Sequence, residues 1–174
     1  MQIALLFETA EGQTRKIADF IADRLHAAGH KITVIDAADI SATPSIEGAD
    51  KVILAAPVHE RRHPPAFEAT ISALRTAIAT RPTLMLSVSL KAAFADGLNE
   101  ARDYLAEMKM RTGISPSEEA MVAGAVRMGS YDYFERQILR HVVLQGHEIA
   151  LNDGPHEFTD WDALAAVVDA FVQA

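Results

Sequence analysis

The chain contains no cysteine. That excludes disulfides, thiol catalysis and thiolate metal sites, and it is compatible with a reducing cytoplasm. No apolar run approaches the roughly 20 residues that span a bilayer. The first residues enter a short apolar strand with no basic, hydrophobic leader, so a soluble, cytoplasmic protein is expected, at most peripheral to the inner face of a membrane. Basic charge is also in deficit, with 16 Lys and Arg against 24 Asp and Glu and a formal charge of −8. Nucleic acid is therefore not an expected partner, and tight docking to anionic lipid is disfavoured, leaving weak or peripheral membrane contact. Three familiar signatures are missing as well. Without Gly-x-x-x-x-Gly-Lys-Ser/Thr there is no triphosphate loop, without Gly-x-Gly-x-x-Gly a dinucleotide site is weakened, and without Gly-x-Ser-x-Gly there is no hydrolase elbow. No Pro- or Gly-rich linker divides the 174 residues, so a single domain over 1–174 is expected.

What is present begins with Thr9-Ala10-Glu11-Gly12-Gln13-Thr14. The apolar run Ile3-Ala4-Leu5-Leu6-Phe7 before it reads as a buried parallel strand. The segment after it places Ile17, Phe20, Ile21, Leu25 and Ala28 on one face of a helix. Two hydroxyls, an amide side chain, a glycine and the free N–H groups of the first helical turn thus meet where the helix dipole favours negative charge. A phosphate monoester fits such a place. Glu8 and Glu11 bring carboxylates near it, and Arg15 is the cation close enough in sequence to offset them. An ordinary helix N-cap with a glycine in the turn has the same pattern.

Further along, Gly29 reads as a helix stop and Lys31-Ile32-Thr33-Val34-Ile35 as a second strand. Val52 to Ala56 forms a third strand ending at Pro57, and Phe67, Ile71, Leu74 and Ile78 repeat at helical spacing. Thr83 to Val88 is strand four, and Leu98, Ala101, Leu105 and Met108 line the next helix. Met121 to Ala125 is strand five, and a last helix capped by Thr159 or Asp160 buries Trp161, Leu164, Val168 and Phe171. Strands alternating with helices predict an α/β fold with a doubly wound five-stranded parallel sheet. The hydroxyl-rich first loop resembles the phosphate loop of flavodoxin-like proteins that hold FMN, and the flavodoxin-like strand order 2-1-3-4-5 is expected with it. Ligands in such sheets bind beyond the carboxyl ends of the strands, here between strands one and three. A surplus insert of about thirty residues, 126–157, lies between strand five and the last helix, far longer than the ~2–6 residues usual for such a connection. Tyr131, Phe134, Ile138, Leu139 and Val142 predict a short amphipathic helix within it.

His59-Glu60-Arg61-Arg62-His63 matches the zinc-protease pattern H-E-x-x-H, which requires both imidazoles one turn apart on a helix. Pro57 before it and Pro64-Pro65 after it push the run extended, so no helix and no metal site is expected. A loop lining a flavin ring with Pro57, Val58 and His59, or a solvated charged loop, accounts for the same residues. Ser87-Val88-Ser89 ends strand four at the same edge and would offer hydroxyls and backbone N–H groups to the flavin's pyrimidine side. A phosphorylated receiver domain wants an Asp at the end of strand three, where this chain has Ala56-Pro57.

The segments together resemble the bacterial flavodoxin-like protoporphyrinogen oxidases, the quinone-dependent FMN enzymes of haem synthesis, nearly end to end. Three stretches carry the resemblance: Gly12-Gln13-Thr14 in the opening loop, Ala123-Gly124-Ala125-Val126-Arg127 running into Tyr131-Asp132-Tyr133-Phe134, and Thr159-Asp160-Trp161 opening the last helix. The chain departs from that family in carrying Glu60 and Arg61 after strand three, and Arg127, Arg136 and Arg140 as the main cations of its insert. The resemblance implies FMN as cofactor, a tetrapyrrole or other small redox substrate as donor and a quinone as acceptor, with the arginines of the insert placed for propionates or a quinone-bearing membrane. No residue stands out as a catalytic acid or base. A flavodoxin-type electron carrier or quinone reductase, suited by acidic charge, is one alternative. A binding module that keeps the fold without FMN is another, and self-association into a homo-oligomer is left open.

Overall fold

A computed structural model describes residues 1–41, 43–127, 136–137 and 155–174. The elements in chain order are β1 (Gln2–Phe7), α1 (Gln13–Ala27), β2 (Lys31–Asp36), β3 (Lys51–Pro57), α2 (Pro65–Ala73), α3 (Arg75–Ala79), β4 (Thr83–Ser89), α4 (Leu98–Thr112), β5 (Glu118–Ala123), β6 (Ala125–Arg127), β7 (Pro155–Glu157) and α5 (Trp161–Gln173). The five long strands form one parallel sheet in the order β2-β1-β3-β4-β5, the flavodoxin-like arrangement expected from the alternation of strands and helices. A second, two-stranded antiparallel sheet pairs β6 with β7.

The apolar runs at residues 3–7 of β1, 52–56 of β3 and 84–86 of β4 are continuous because both faces of those strands are covered. Side chains alternate across the sheet, so Ile3, Leu5 and Phe7 pack with Ile17, Ile21, Leu25, Val168 and Phe171 of α1 and α5. On the other face Ala4, Leu6 and Leu54 pack with Phe67, Ile71, Leu105 and Met108 of α2 and α4. Leaving such a side chain exposed rather than buried costs about 1.5–3 kcal/mol each, so the pattern holds the helices to their sides. Asp160 caps α5, its carboxylate accepting from the Ala163 N–H at 2.9 Å.

Three boundaries differ from the expected ones. The helix read through Phe67, Ile71, Leu74 and Ile78 breaks at Leu74, whose backbone (φ −90°, ψ 2°) divides α2 from α3. Strand five begins at Glu118 and stops at Ala123, because it is an edge strand whose first residues are exposed and charged, so its start carries no apolar signal. Ala125 belongs instead to the ribbon, which Gly124 separates from β5. Ala28, expected on the buried face, is the exposed C-cap just past α1, and Phe20 is half-buried against Trp161 with ring centroids 5.0 Å apart. The amphipathic helix expected through Tyr131, Phe134, Ile138, Leu139 and Val142 lies outside the described residues.

Candidate functional site

The loop between β1 and α1 leaves the carboxyl edge of the sheet at the switch between β1 and β3. Gly12 turns it, with a φ of 92° that L side chains rarely adopt, and serves as N-cap of α1 without any side-chain hydrogen bond to the cap. The Gly12 carbonyl accepts from Lys16, while its own N–H donates to Thr9 Oγ1 at 2.9 Å. The N–H groups that open the helix at Gln13, Thr14 and Arg15 therefore have no acceptor from within it, and no acidic residue occupies the first turn. Helix starts of this kind favour an anion.

The side chains of the loop divide into those that face this end and those that brace it. Gln13 is buried, and its amide is a strut: Nε2 donates to Glu157 at 3.1 Å and to Thr159 Oγ1 at 2.9 Å. Thr159 in turn donates to the Ala123 carbonyl at 2.7 Å, which ties the loop to the end of β5. Glu157 also accepts from Lys16 Nζ at 2.6 Å and from the Trp161 indole at 2.8 Å. The Lys16 hydrogen bond leads in holding that carboxyl below its ordinary range, against the opposing effect of burial. Thr14 is buried beneath the loop, and Ala10 is exposed at its rim beside half-buried Thr9 and Glu11.

Arg15 does not offset the loop's carboxylates as its sequence position led one to expect. Its guanidinium pairs with Asp36 and lies over the Phe7 ring, 4.8 Å from the centroid. Glu8 is turned elsewhere too, towards the start of α2, where it takes a hydrogen bond from the Phe67 backbone; burial leads in raising its pKa and Asp36 adds to that. The guanidinium that does reach the loop comes from Arg127 on β6, within 3.6–3.8 Å of where a Cβ on Gly12 would stand. Its Nε is buried and has no hydrogen-bond partner among the described residues. Two features suited to an anion thus meet here: a helix start with no side-chain cap, and a buried guanidinium donor without a partner among the described residues.

Past Pro57, the Val58 N–H donates to the Val88 carbonyl at 2.7 Å, and the chain enters a tight turn. His59 and Arg62 exchange backbone hydrogen bonds of 2.9 and 3.0 Å, with Glu60 (φ 48°) and Arg61 (φ 65°) both left-handed between them. That is the dihedral pattern of a type I′ hairpin turn, so the H-E-x-x-H run is not helical and its histidines part company. His59 is exposed, whereas His63 is fully buried with Nε2 3.0 Å from Ser87 Oγ. Among the described residues no group of three or more His, Asp or Glu is arranged to hold a metal ion.

The end of β4 is less open than its hydroxyls imply. Ser87 is buried against His63, and the Ser89 hydroxyl accepts from the Ala92 N–H at 3.2 Å. The Ser89 carbonyl accepts from Gly124 at 3.1 Å. Pro57, Val58, Ser87, Val88 and Ser89 are thus brought together as the rim and floor of the edge between β3 and β4. Phe94, after β4, meets Phe158, after β7, edge-to-face at 5.8 Å on the neighbouring side. Nothing local in the sequence points to Phe94, Phe158 or Glu157, and Thr159 reads there only as a helix cap, because each acts through a partner distant in the chain.

Comparison with known proteins agrees with this geometry. The family model described as a flavodoxin domain matches residues 4–148. Protoporphyrinogen IX dehydrogenase [quinone] of Escherichia coli (strain K12) is 27% identical over 169 residues, which cover 95% of this chain and 91% of that protein. Among solved structures, oxidised flavodoxin 1 from Bacillus cereus superposes with a TM-score of 0.59 at 17% identity, covering 99% of this chain and 98% of that one. Oxidised flavodoxin 2 from the same organism gives 0.60 at 15% identity, covering 99% of each chain. With its matched span and strand order, the chain belongs to the flavodoxin domain family.

Proposed function

We propose that the chain is an FMN-dependent oxidoreductase that passes electrons from a protoporphyrinogen-type donor to a quinone. The observation that carries the flavin assignment is the cradle itself, an uncapped helix start behind left-handed Gly12 at the switch edge of the sheet. The relative named for protoporphyrinogen and quinone, alike over 95% of this chain, supports the choice of donor and acceptor.

In this reading Thr9, Ala10, Glu11, Gly12, Gln13 and Thr14 form the phosphate loop, with backbone N–H groups as the main donors. Pro57, Val58 and His59 border one side of the ring, and Ser87, Val88 and Ser89 form the floor beneath it. Phe94 and Phe158 add an aromatic wall suited to a flat ring system. When bound, the flavin supplies the redox chemistry, while the protein supplies position, electrostatics and exclusion of water. The buried network behind the loop, from Gln13 through Thr159 to Ala123, keeps the cradle in place without the cofactor's help.

The experiment is a coupled oxidation. The yellow protein, mixed anaerobically with protoporphyrinogen and a soluble quinone, is expected to release porphyrin fluorescence as two electrons and two protons per step leave the donor and the quinone becomes quinol. No porphyrin under these conditions would refute the donor. The acidic balance of the chain and the flavodoxin fold favour a second reading, an FMN electron carrier that docks to basic redox partners. A flavin that exchanges electrons with a redox protein but leaves porphyrinogen untouched would select it.

A further inference from the structure

Arg127 stands on β6, opposite Pro155 of β7, yet its guanidinium lies across the β1–α1 loop. The two cations nearest the loop in sequence are committed elsewhere, Arg15 to Asp36 and Phe7, and Lys16 to Glu157 with its ammonium over the Trp161 ring. Arginine cannot shed its proton on burial, so a buried Nε–H without an acceptor is a cost the fold carries until an acceptor arrives. The acceptor it calls for is anionic, since the same spot is faced by the N–H groups that open α1 and by the positive end of its dipole. Gly12 matters to this arrangement twice. Its φ of 92° makes the turn, and the lack of a side chain larger than a methyl leaves the guanidinium its berth, since a Cβ would already be in contact at 3.6 Å.

We propose that Arg127 is the countercharge of the phosphate cradle, delivered by the β6–β7 ribbon rather than by the loop, and that it makes the site selective for phosphorylated over unphosphorylated flavin. The inference rests on the flavin reading above. A phosphate monoester carries close to two negative charges near neutral pH, and a chain with a formal charge of −8 opposes its entry unless a local cation offsets it. A guanidinium also adds hydrogen bonds in a fixed plane, which a backbone cradle by itself does not. The ribbon is in turn tied to α1 by Glu157, so the strands that carry Arg127 are held against the loop that it serves.

The test is flavin titration of the apoprotein, read by quenching of flavin fluorescence, with FMN and riboflavin in parallel. Arg127→Gln is expected to weaken FMN by about 10- to 100-fold, as for loss of a charge-assisted hydrogen bond, and to leave riboflavin within about twofold. Arg127→Lys should recover part of the FMN affinity. FMN affinity unchanged in Arg127→Gln, or FMN and riboflavin weakened alike, overturns the proposal while wild-type FMN binding leaves the flavin reading standing. A wild-type protein that binds neither flavin overturns both. Should Arg127→Gln not fold, Arg127→Met, which keeps the apolar stem and removes the charge, takes its place with the same outcomes: FMN weakened with riboflavin unchanged supports the role of Arg127, and FMN unchanged or both flavins weakened alike refutes it.

Discussion

His63 Nε2 lies 3.0 Å from Ser87 Oγ, and the imidazole is fully buried between the hairpin turn after β3 and the floor of β4. Burial dominates its titration and pushes its pKa down to about 4, with Glu68 opposing the shift and Arg111 assisting it. The folded protein thus keeps this ring neutral where an unfolded chain would protonate it near 6.5. Its contribution to stability is whole above pH 6.5, is lost progressively as pH falls to about 4, and changes no further below. The total loss from this group is about 3 kcal/mol. His63→Gln, which retains an amide for Ser87 but cannot titrate, should flatten the fall in urea midpoint between pH 7 and pH 4.5. Identical pH profiles for the two proteins would contradict the assignment.

Glu68 sits beside this histidine and holds a different window. Burial alone would raise its carboxyl, but hydrogen bonds from Arg111 and Arg62, then their charges, outweigh it and lower the pKa. Its stabilisation is complete above the ordinary carboxylate range and disappears only as pH falls through the lowered folded value, so the His63 effect is measured before Glu68 begins to protonate. Arg111 reaches Glu68 through two nitrogens, at 2.7 Å from Nη2 and 3.1 Å from Nε, which joins α4 to α2 on the face opposite α1.

The turn that buries His63 is held in an unfavourable way. Glu60 and Arg61 both have positive φ, 48° and 65°, which costs a residue with a Cβ of the order of 1 kcal/mol each. Asn-Gly is the pair that a type I′ turn prefers. Glu60→Asn with Arg61→Gly should therefore stabilise the protein by about 1–2 kcal/mol, seen as a rise in urea midpoint at unchanged slope. The change forfeits the Arg61 contacts with the Tyr104 ring, 5.6 Å from the centroid, and with Glu100 at 3.5 Å. Arg61 is largely exposed in that pair, so those contacts are weak. A lower midpoint would mean that Arg61 holds the turn against α4 more strongly than its exposure implies.

These residues also mark where sequence reasoning reached and where it stopped. Ile3 to Phe7, Val52 to Ala56 and Thr83 to Val88 are legible because a strand covered on both faces is apolar at nearly every position, Thr83 and Ser87 being the exceptions, and the helices between them because Phe67, Ile71, Leu105 and Met108 keep one face. The loop from Thr9 to Thr14 is legible as a local pattern for the same reason that it works, since everything it needs from the backbone is adjacent. Arg127 and Glu157 are different. Glu157 meets Gln13 across 144 residues of chain, and nothing in Ala125-Val126-Arg127 distinguishes a ribbon strand from the last residues of strand five. The fate of the two histidines was equally hidden, because the turn that separates them contains neither Gly nor Asn to announce it. Arg15 shows the converse error, in which nearness in sequence stood in for nearness in space and the Asp36 carboxylate at the end of β2 claimed the guanidinium instead.

The cradle makes one prediction about its own hydroxyls. Thr9 Oγ1 already accepts from the Gly12 N–H at 2.9 Å, which leaves its proton to donate, and Thr14 is buried at the first helical turn beneath the loop. Thr9→Ala together with Thr14→Ala should weaken FMN by a few kcal/mol, at about 1–2 kcal/mol for each charge-assisted hydrogen bond lost. Part of that loss would come from a looser loop, since Gly12 loses its acceptor. Riboflavin separates the two contributions: a looser loop weakens both flavins, whereas hydroxyls that meet the phosphate weaken FMN alone. The expected outcome is an FMN-specific loss measured by fluorescence titration, with thermal stability changed by only a few degrees. Unaltered FMN affinity in the double variant would remove the two threonines from the phosphate site and leave the backbone N–H groups of Gln13, Thr14 and Arg15 as its donors.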